Sequence, residues 1–237
     1  QANQFQRNKI GANIFRRYKN CKKMKKVKKP LLLLLIFSIT LGCNRSNPSS
    51  QTTKATDSAI ENRIKSMSIE QKVGQMTQIN IDVISKGKIY NLIVPHQIDS
   101  AKLDTAINKY FVGSILNAAG YPFSRKHWEK IITSIQIKAV TEGSKTPILY
   151  GIDAIHGANY TVGATLFPQQ IGLAATWNPE IVEEAASITA YDVSASGIPW
   201  NFSPVLDLAR QPLWGRFFET FGEDVYLAKT MGKALIK

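Results

Sequence analysis

The residues best placed to do chemistry lie in Tyr150-Gly151-Ile152-Asp153-Ala154-Ile155-His156-Gly157, where one carboxylate follows a short apolar run and stands between two glycines. An ionised Asp is acceptor-only and can take two hydroxyl donors at once. Further on, Asp207 ends the apolar run Ile198 to Leu206, and Trp214-Gly215-Arg216 lies just beyond, followed by Glu219, Glu223 and Asp224. A carboxylate, a planar guanidinium fork and an indole together make a polar, partly aromatic pocket of the kind a sugar needs. Each residue also has a plainer reading. Asp153 could cap the turn after its strand, Arg216 could pair with Glu219 or Asp224, Trp214 could be packing, and His156 could be a buried, satisfied supporting residue.

Such side chains need rigid elements behind them. Pro147 to Tyr150 reads as a buried strand of the kind parallel sheets use. Gly151 and Gly157 either turn the backbone tightly or let a ligand approach where a Cβ would block it. Phe111 to Leu116 reads as a second buried strand, and Trp128, Ile131, Ile132 and Ile135 line one face of a helix ending near Gly143. Upstream, Ser68 and Gln71 form a capping box ahead of an apolar stripe of Ile69, Val73 and Met76. Downstream, Asn178 as N-cap and Pro179 at the first helical position start a helix through Ile181, Val182, Ala185 and Ala186 that stops near Gly197. The run Ile198 to Leu206 predicts another strand, and a last helix starts near Glu223. Strand and helix alternating from about Thr56 onward predict an α/β domain built on a parallel sheet. In such sheets ligands bind beyond the carboxyl ends of the strands, which is where Asp153 would sit.

The net charge of +13 invites a nucleic-acid reading, but its location argues against one. Eleven of the 30 basic residues, and none of the acidic ones, fall in residues 1–43, so the remaining nineteen face 17 acidic residues. The basic excess belongs to a leader, and phosphate-backbone binding has no support. Residues 1–23 read as upstream extension. Met24 to Lys29 is a positive segment, Leu31 to Leu41 is an apolar run too short to span a bilayer comfortably, and Gly42-Cys43 follows, so residues 24–43 read as an export signal. A small residue before Cys resembles a bacterial lipoprotein processing site, with Cys43 as the lipidated membrane anchor; ordinary cleavage beside a stray Cys is the alternative. Either way the protein is expected to be exported, to the periplasm or as an outer-membrane lipoprotein. Residues 44–59, rich in Ser, Thr, Asn and Gln, predict a flexible tether, which leaves 60–237 as the folded domain. Cys21 and Cys43 are the two cysteines, so that domain has neither a disulfide nor a thiolate metal site. His96, His127 and His156 are too scattered along the chain to suggest a metal set, and neither phosphate-binding glycine motif occurs; no metal and no cofactor is expected.

Gly151-Ile152-Asp153-Ala154-Ile155-His156-Gly157, Phe167-Pro168, Ala175-Thr176-Trp177-Asn178, Asn201-Phe202-Ser203-Pro204-Val205-Leu206-Asp207 and Trp214-Gly215-Arg216, in this order and at these spacings, resemble the family 3 glycoside hydrolases. Within the family the similarity is to bacterial β-glucosidases and exo-β-glucanases, and it runs from about Ile60 to the last residue. The resemblance implies a (β/α)8-like TIM barrel, which takes about 250 residues. The stretch after the tether is shorter, so a truncated front part of the barrel is expected. The resemblance also implies hydrolysis of terminal, non-reducing β-D-glucosyl residues of β-linked gluco-oligosaccharides, with retention and without a cofactor. The alternatives are a β-xylosidase of the same family and a non-catalytic carbohydrate-binding lipoprotein.

Retaining enzymes place two carboxyl groups about 5–5.5 Å apart. In the family the nucleophile lies in a Ser-Asp-Trp-like motif on a later strand, the acid/base commonly in a second domain, and a sugar-binding Lys-His pair beyond the present residues. Ser-Asp-Trp does not occur in this sequence, and Lys126-His127 reads as a solvated helix face. No catalytic residue is therefore expected in these residues, and no activity from them alone. What the resemblance implies for the residues present is glycone binding. Asp153 would accept from hydroxyls of the terminal sugar, and Arg216 would donate to neighbouring hydroxyls while holding nearby carboxylates. His156, Asp207, Trp214 and Glu219 would be supporting or structural, with Asp207 fixing its loop by hydrogen bonds.

Overall fold

The computed structural model describes residues 48–237; the upstream extension, the export signal and Cys43 lie outside the described residues. The first element, α1 (Pro48–Ser66), occupies much of the segment expected to be a tether. No Gly or Pro interrupts residues 49–73, and Pro48 opens the helix where a missing N–H costs nothing. A polar composition does not by itself separate an exposed helix from a coil. At its far end Arg63 donates to the Ser144 carbonyl and to Thr146 Oγ1, which ties the helix to the domain.

The capping box that starts α2 (Ile69–Gln75) is present, with Ser68 Oγ accepting from Gln71 N–H and Gln71 Oε1 accepting from Ser68 N–H. Its apolar stripe does not face a core: Ile69 and Met76 are 75% and 85% exposed. The helix packs instead through Gly74, where a Cβ would lie 2.1 Å from the Tyr110 carbonyl oxygen. After it come β1 (Gln78–Asn80), a small antiparallel hairpin of β2 (Gly87–Lys88) and β3 (Asn91–Leu92), and α3 (Ser100–Asp104), which runs into a π-helical turn. The main chain then alternates: β4 (Ser114–Leu116), α4 (Arg125–Thr141), β5 (Leu149–Ile152), α5 (Gln170–Ala174), α6 (Pro179–Ala195), β6 (Trp200–Asn201), a 3-10 turn (Phe217–Glu219) and α7 (Val225–Ile236).

The sheet order is β1-β4-β5-β6, every pair parallel. Its strands succeed one another in chain order, with no reversal. A doubly wound sheet would reverse at a switch point, so this progression is that of a barrel wall. The expected strand from Ile198 to Leu206 shrinks to Trp200–Asn201, because Pro199 and Pro204 have no N–H to give a ladder. Two further helix starts were local enough to anticipate. Asn178 Oδ1 accepts from Glu180 and Ile181 N–H with Pro179 at the first position of α6, and Asp224 caps α7 through Leu227 N–H at 2.7 Å.

Trp128, Ile131 and Ile135 of α4 pack on Ile115 and Tyr150 of the sheet, all at most 2% exposed. The Trp128 indole N–H donates to the Tyr160 carbonyl at 3.0 Å, so its burial strands no polar atom. A second apolar cluster, with Leu173, Val182, Phe221 and Met231, joins α5, α6 and α7. The two glycines that bracket Asp153 do different things. Gly151 sits inside β5 because a Cβ there would meet the Phe202 ring at 2.3 Å; Gly157 has φ +105° and lies against the Thr165 carbonyl, so it is the one that turns the chain.

Candidate functional site

Asp153 follows the last residue of β5, at the carboxyl end of the sheet. The chain then doubles back through Gly157, and Phe167 N–H donates to the His156 carbonyl at 2.8 Å. This hairpin-like return brings Asn159, Tyr160 and Gln169 round to Asp153. The segment after β6 brings Arg216 and Glu219 to the same place, and the result is a cleft of about 400 Å³ that also includes His156. The two parts of the sequence that carried the chemistry therefore meet.

Asp153 is half-buried. Burial pushes its carboxyl above the usual range, the Arg216 charge pulls it back down, and the Glu219 charge pushes it up again. No side-chain donor among the described residues reaches its carboxylate, so both oxygens keep their accepting capacity for a ligand. Arg216 donates Nε–H (2.9 Å) and Nη2–H (2.5 Å) to one oxygen, Oε2 of Glu219. The ion pair anticipated as the plain reading of Arg216 is thus formed, yet Arg216 still lines the cleft, and the fork is large enough to serve both partners. Tyr160 has its phenol pushed up, first by burial and then by the Asp153 charge. The His156 ring is anchored by an Nδ1 contact with the Phe167 carbonyl at 3.1 Å; since a carbonyl only accepts, Nδ1 carries the proton.

Asp207 and Trp214 are not part of this cleft. Asp207 is exposed, and the loop-fixing hydrogen bonds expected of its carboxylate are not found among the described residues; the loop is fixed instead through Gln211, whose carbonyl accepts from Trp214 N–H at 3.0 Å and whose Oε1 accepts from Leu213 N–H at 3.1 Å. Gln169 carries no signal of this kind in the sequence, yet its Oε1 is buried without a partner among the described residues at the edge of the cleft. Asn201 stands in the sequence only as part of a motif, whereas its amide engages the backbone beside Asp153.

A second polar cluster was missed as well. His96 and His127, distant in sequence, meet with Nδ1 and Nε2 3.2 Å apart, and both rings pack on Phe123. His127 is therefore half-buried rather than on a solvated face. Ser85 Oγ spends its proton on the Ile81 carbonyl at 2.7 Å, so it must accept from His96 Nε2–H at 2.8 Å. That leaves His96 Nδ1 as an acceptor for His127 Nε2–H. Among the described residues no three His, Cys, Asp or Glu gather as a metal site.

Strands in chain order, helices between them and a polar cleft beyond their carboxyl ends define an α/β protein of the (β/α) barrel type. The description Glycosyl hydrolase family 3 N terminal domain matches residues 68–237, and the chain belongs to that family. It is 44% identical over 193 residues to a lysosomal β-glucosidase of Dictyostelium discoideum, which covers 77% of this chain and 23% of that protein. A β-xylosidase of Formosa agariphila is 36% identical over 114 residues, 46% of this chain and 16% of that one. Among solved structures, an exo-1,3/1,4-β-glucanase from a Pseudoalteromonas species superposes with a TM-score of 0.64 at 29% identity, over 77% of this chain and 22% of that chain. The chain thus spans less than a quarter of the length of these relatives.

Proposed function

We propose that these residues form the glycone-binding part of a β-glucosidase or exo-β-glucanase-type hydrolase that releases terminal β-D-glucosyl residues with retention and without a cofactor. The observation that carries the reading is the Asp153 carboxylate: half-buried beyond a strand end, facing the Arg216–Glu219 pair across one cleft, with no donor on its oxygens among the described residues. Such a group is placed to accept from two adjacent sugar hydroxyls while Arg216 donates to a third. Export, and anchoring through Cys43, belong to the same reading and rest on the Met24–Cys43 segment.

The test is ligand-observed NMR titration of the chain with methyl β-D-glucoside. Saturable binding is expected, weakened about tenfold or more in Asp153→Asn, because charge-assisted hydrogen bonds are lost. Unchanged binding by Asp153→Asn would sink the site. Hydrolysis by these 237 residues alone is not expected, since no Ser-Asp-Trp is among them. A β-xylosidase reading draws support from the Formosa agariphila relative, and aryl glucosides against aryl xylosides with the whole protein separates the two. Sugar binding without turnover by the whole protein would favour a carbohydrate-binding lipoprotein.

A further inference from the structure

The β5 strand is held at both ends by side-chain amides. At its amino end Gln136 accepts from Ile148 N–H at 3.0 Å and donates to the Ile148 carbonyl at 2.7 Å. At its carboxyl end Asn201 accepts from Ala154 N–H at 3.0 Å and donates to the Ala154 carbonyl at 3.2 Å. The two clamps have the same chemistry and different neighbours: only the second adjoins Asp153.

The ladder between β5 and β6 ends at Ile152 paired with Asn201, closed by Phe202 N–H to the Ile152 carbonyl at 2.9 Å. Beyond it the two backbones part, and Ala154, 1% exposed, would be left with an unpaired N–H and C=O. The Asn201 amide stands in for the missing backbone residue. Asp153 is therefore pinned on both sides, through the Ile152 carbonyl before it and Ala154 after it. Among the described residues nothing holds its carboxylate from the front, because no donor reaches those oxygens. Its aim is set from behind.

We infer that Asn201 is the positioning residue for Asp153: its amide clamp on Ala154 orients the carboxylate that binds ligand, while the matching Gln136 clamp only stabilises the strand. This rests on the sugar-binding reading of Asp153. A support of this kind, removed, typically costs about tenfold in what the supported group binds.

The experiment is a comparison of Asn201→Ala and Gln136→Ala in the same chain, with methyl β-D-glucoside as the probe and thermal melts alongside. Both variants are expected to melt lower by similar amounts, since each strands one backbone N–H and one C=O. Asn201→Ala should bind about tenfold more weakly, and Gln136→Ala should bind as the wild type does. In an Asp153→Asn background, Asn201→Ala should add little further loss, because the group it aims is already impaired. The inference is overturned if Asn201→Ala binds normally, if Gln136→Ala weakens binding as much, or if the losses of Asn201→Ala and Asp153→Asn simply add. Should Asp153→Asn itself bind normally, or the wild type not bind, the sugar-binding reading fails first and this inference with it.

Discussion

Two polar clusters with buried members occupy this domain, and they use burial in opposite ways. Around His96 the hydrogen bonds run in a closed sequence, from His127 to His96 to Ser85 to the Ile81 carbonyl, inside an aromatic wall that includes Phe123. Around Asp153 the sequence is open: the backbone is clamped, but the carboxylate has no donor among the described residues. Burial shifts the titration of both, lowering His96 to about 4 and raising Asp153. A shifted group is therefore not in itself a sign of function. Hydrogen-bonding capacity left unused is the better sign, because a protein with no ligand to meet would have satisfied it.

The largest expected effect is on acid stability. Folded His96 resists protonation down to about 4, through burial first and the His127 charge second, with Asp82 pulling the other way, while the unfolded chain takes that proton near 6.5. Stability should thus be intact above pH 6.5 and fall between there and about pH 4, by on the order of 2–3 kcal/mol. Urea melts of wild type and His96→Leu across this range check it; an equally steep fall in His96→Leu would break the contrast. Next in size is Ser85→Ala, which strands His96 Nε2–H in a fully buried site and should cost about 1–2 kcal/mol at pH 7, read by the same melts. A negligible cost would mean the chain of bonds is not closed after all.

The smallest effect has the opposite sign. The Asp153 carboxyl is raised in the folded state, so the folded chain holds the extra proton and stability declines as pH rises through the carboxylate range. At neutral pH the ionised group is a cost to folding. Asp153→Asn should melt higher at pH 7, on the order of a degree or two, with no gain below the ordinary Asp range of about 3.9. The variant that loses sugar would then be the more stable one, as expected where a site is kept at the expense of stability. A lower melting temperature at pH 7 would assign Asp153 a structural role instead.

Legibility in the sequence followed distance along the chain. Caps at Ser68, Asn178 and Asp224 were readable or nearly so, because each needs only partners within three residues. The Trp128–Ile135 face was readable because its period matches the helix. The Ile69–Met76 stripe has the same period but faces outward, since the pattern states which residues share a side and not what lies opposite. The Ile198–Leu206 run shows the same limit for strands: apolar content signals burial, while the two prolines decide how much ladder can form. For the site, Asp153 and Arg216 stood out by their motifs, whereas Gln169 and the supporting role of Asn201 did not, having no chemistry of their own to advertise.

By itself the sequence determined where the helices after Ser68, Asn178 and Asp224 begin, that strands and helices alternate, and which carboxylate follows a buried strand beside glycine. Those properties depend on contacts within a few residues and on backbone sterics. Only the tertiary structure decided that Arg216 and Glu219 face Asp153, that His96 meets His127, and that Asn201 rather than a neighbouring strand completes the backbone of Ala154. These are closures between segments far apart in the chain, set by how the sheet packs on its helices, and no local pattern encodes them.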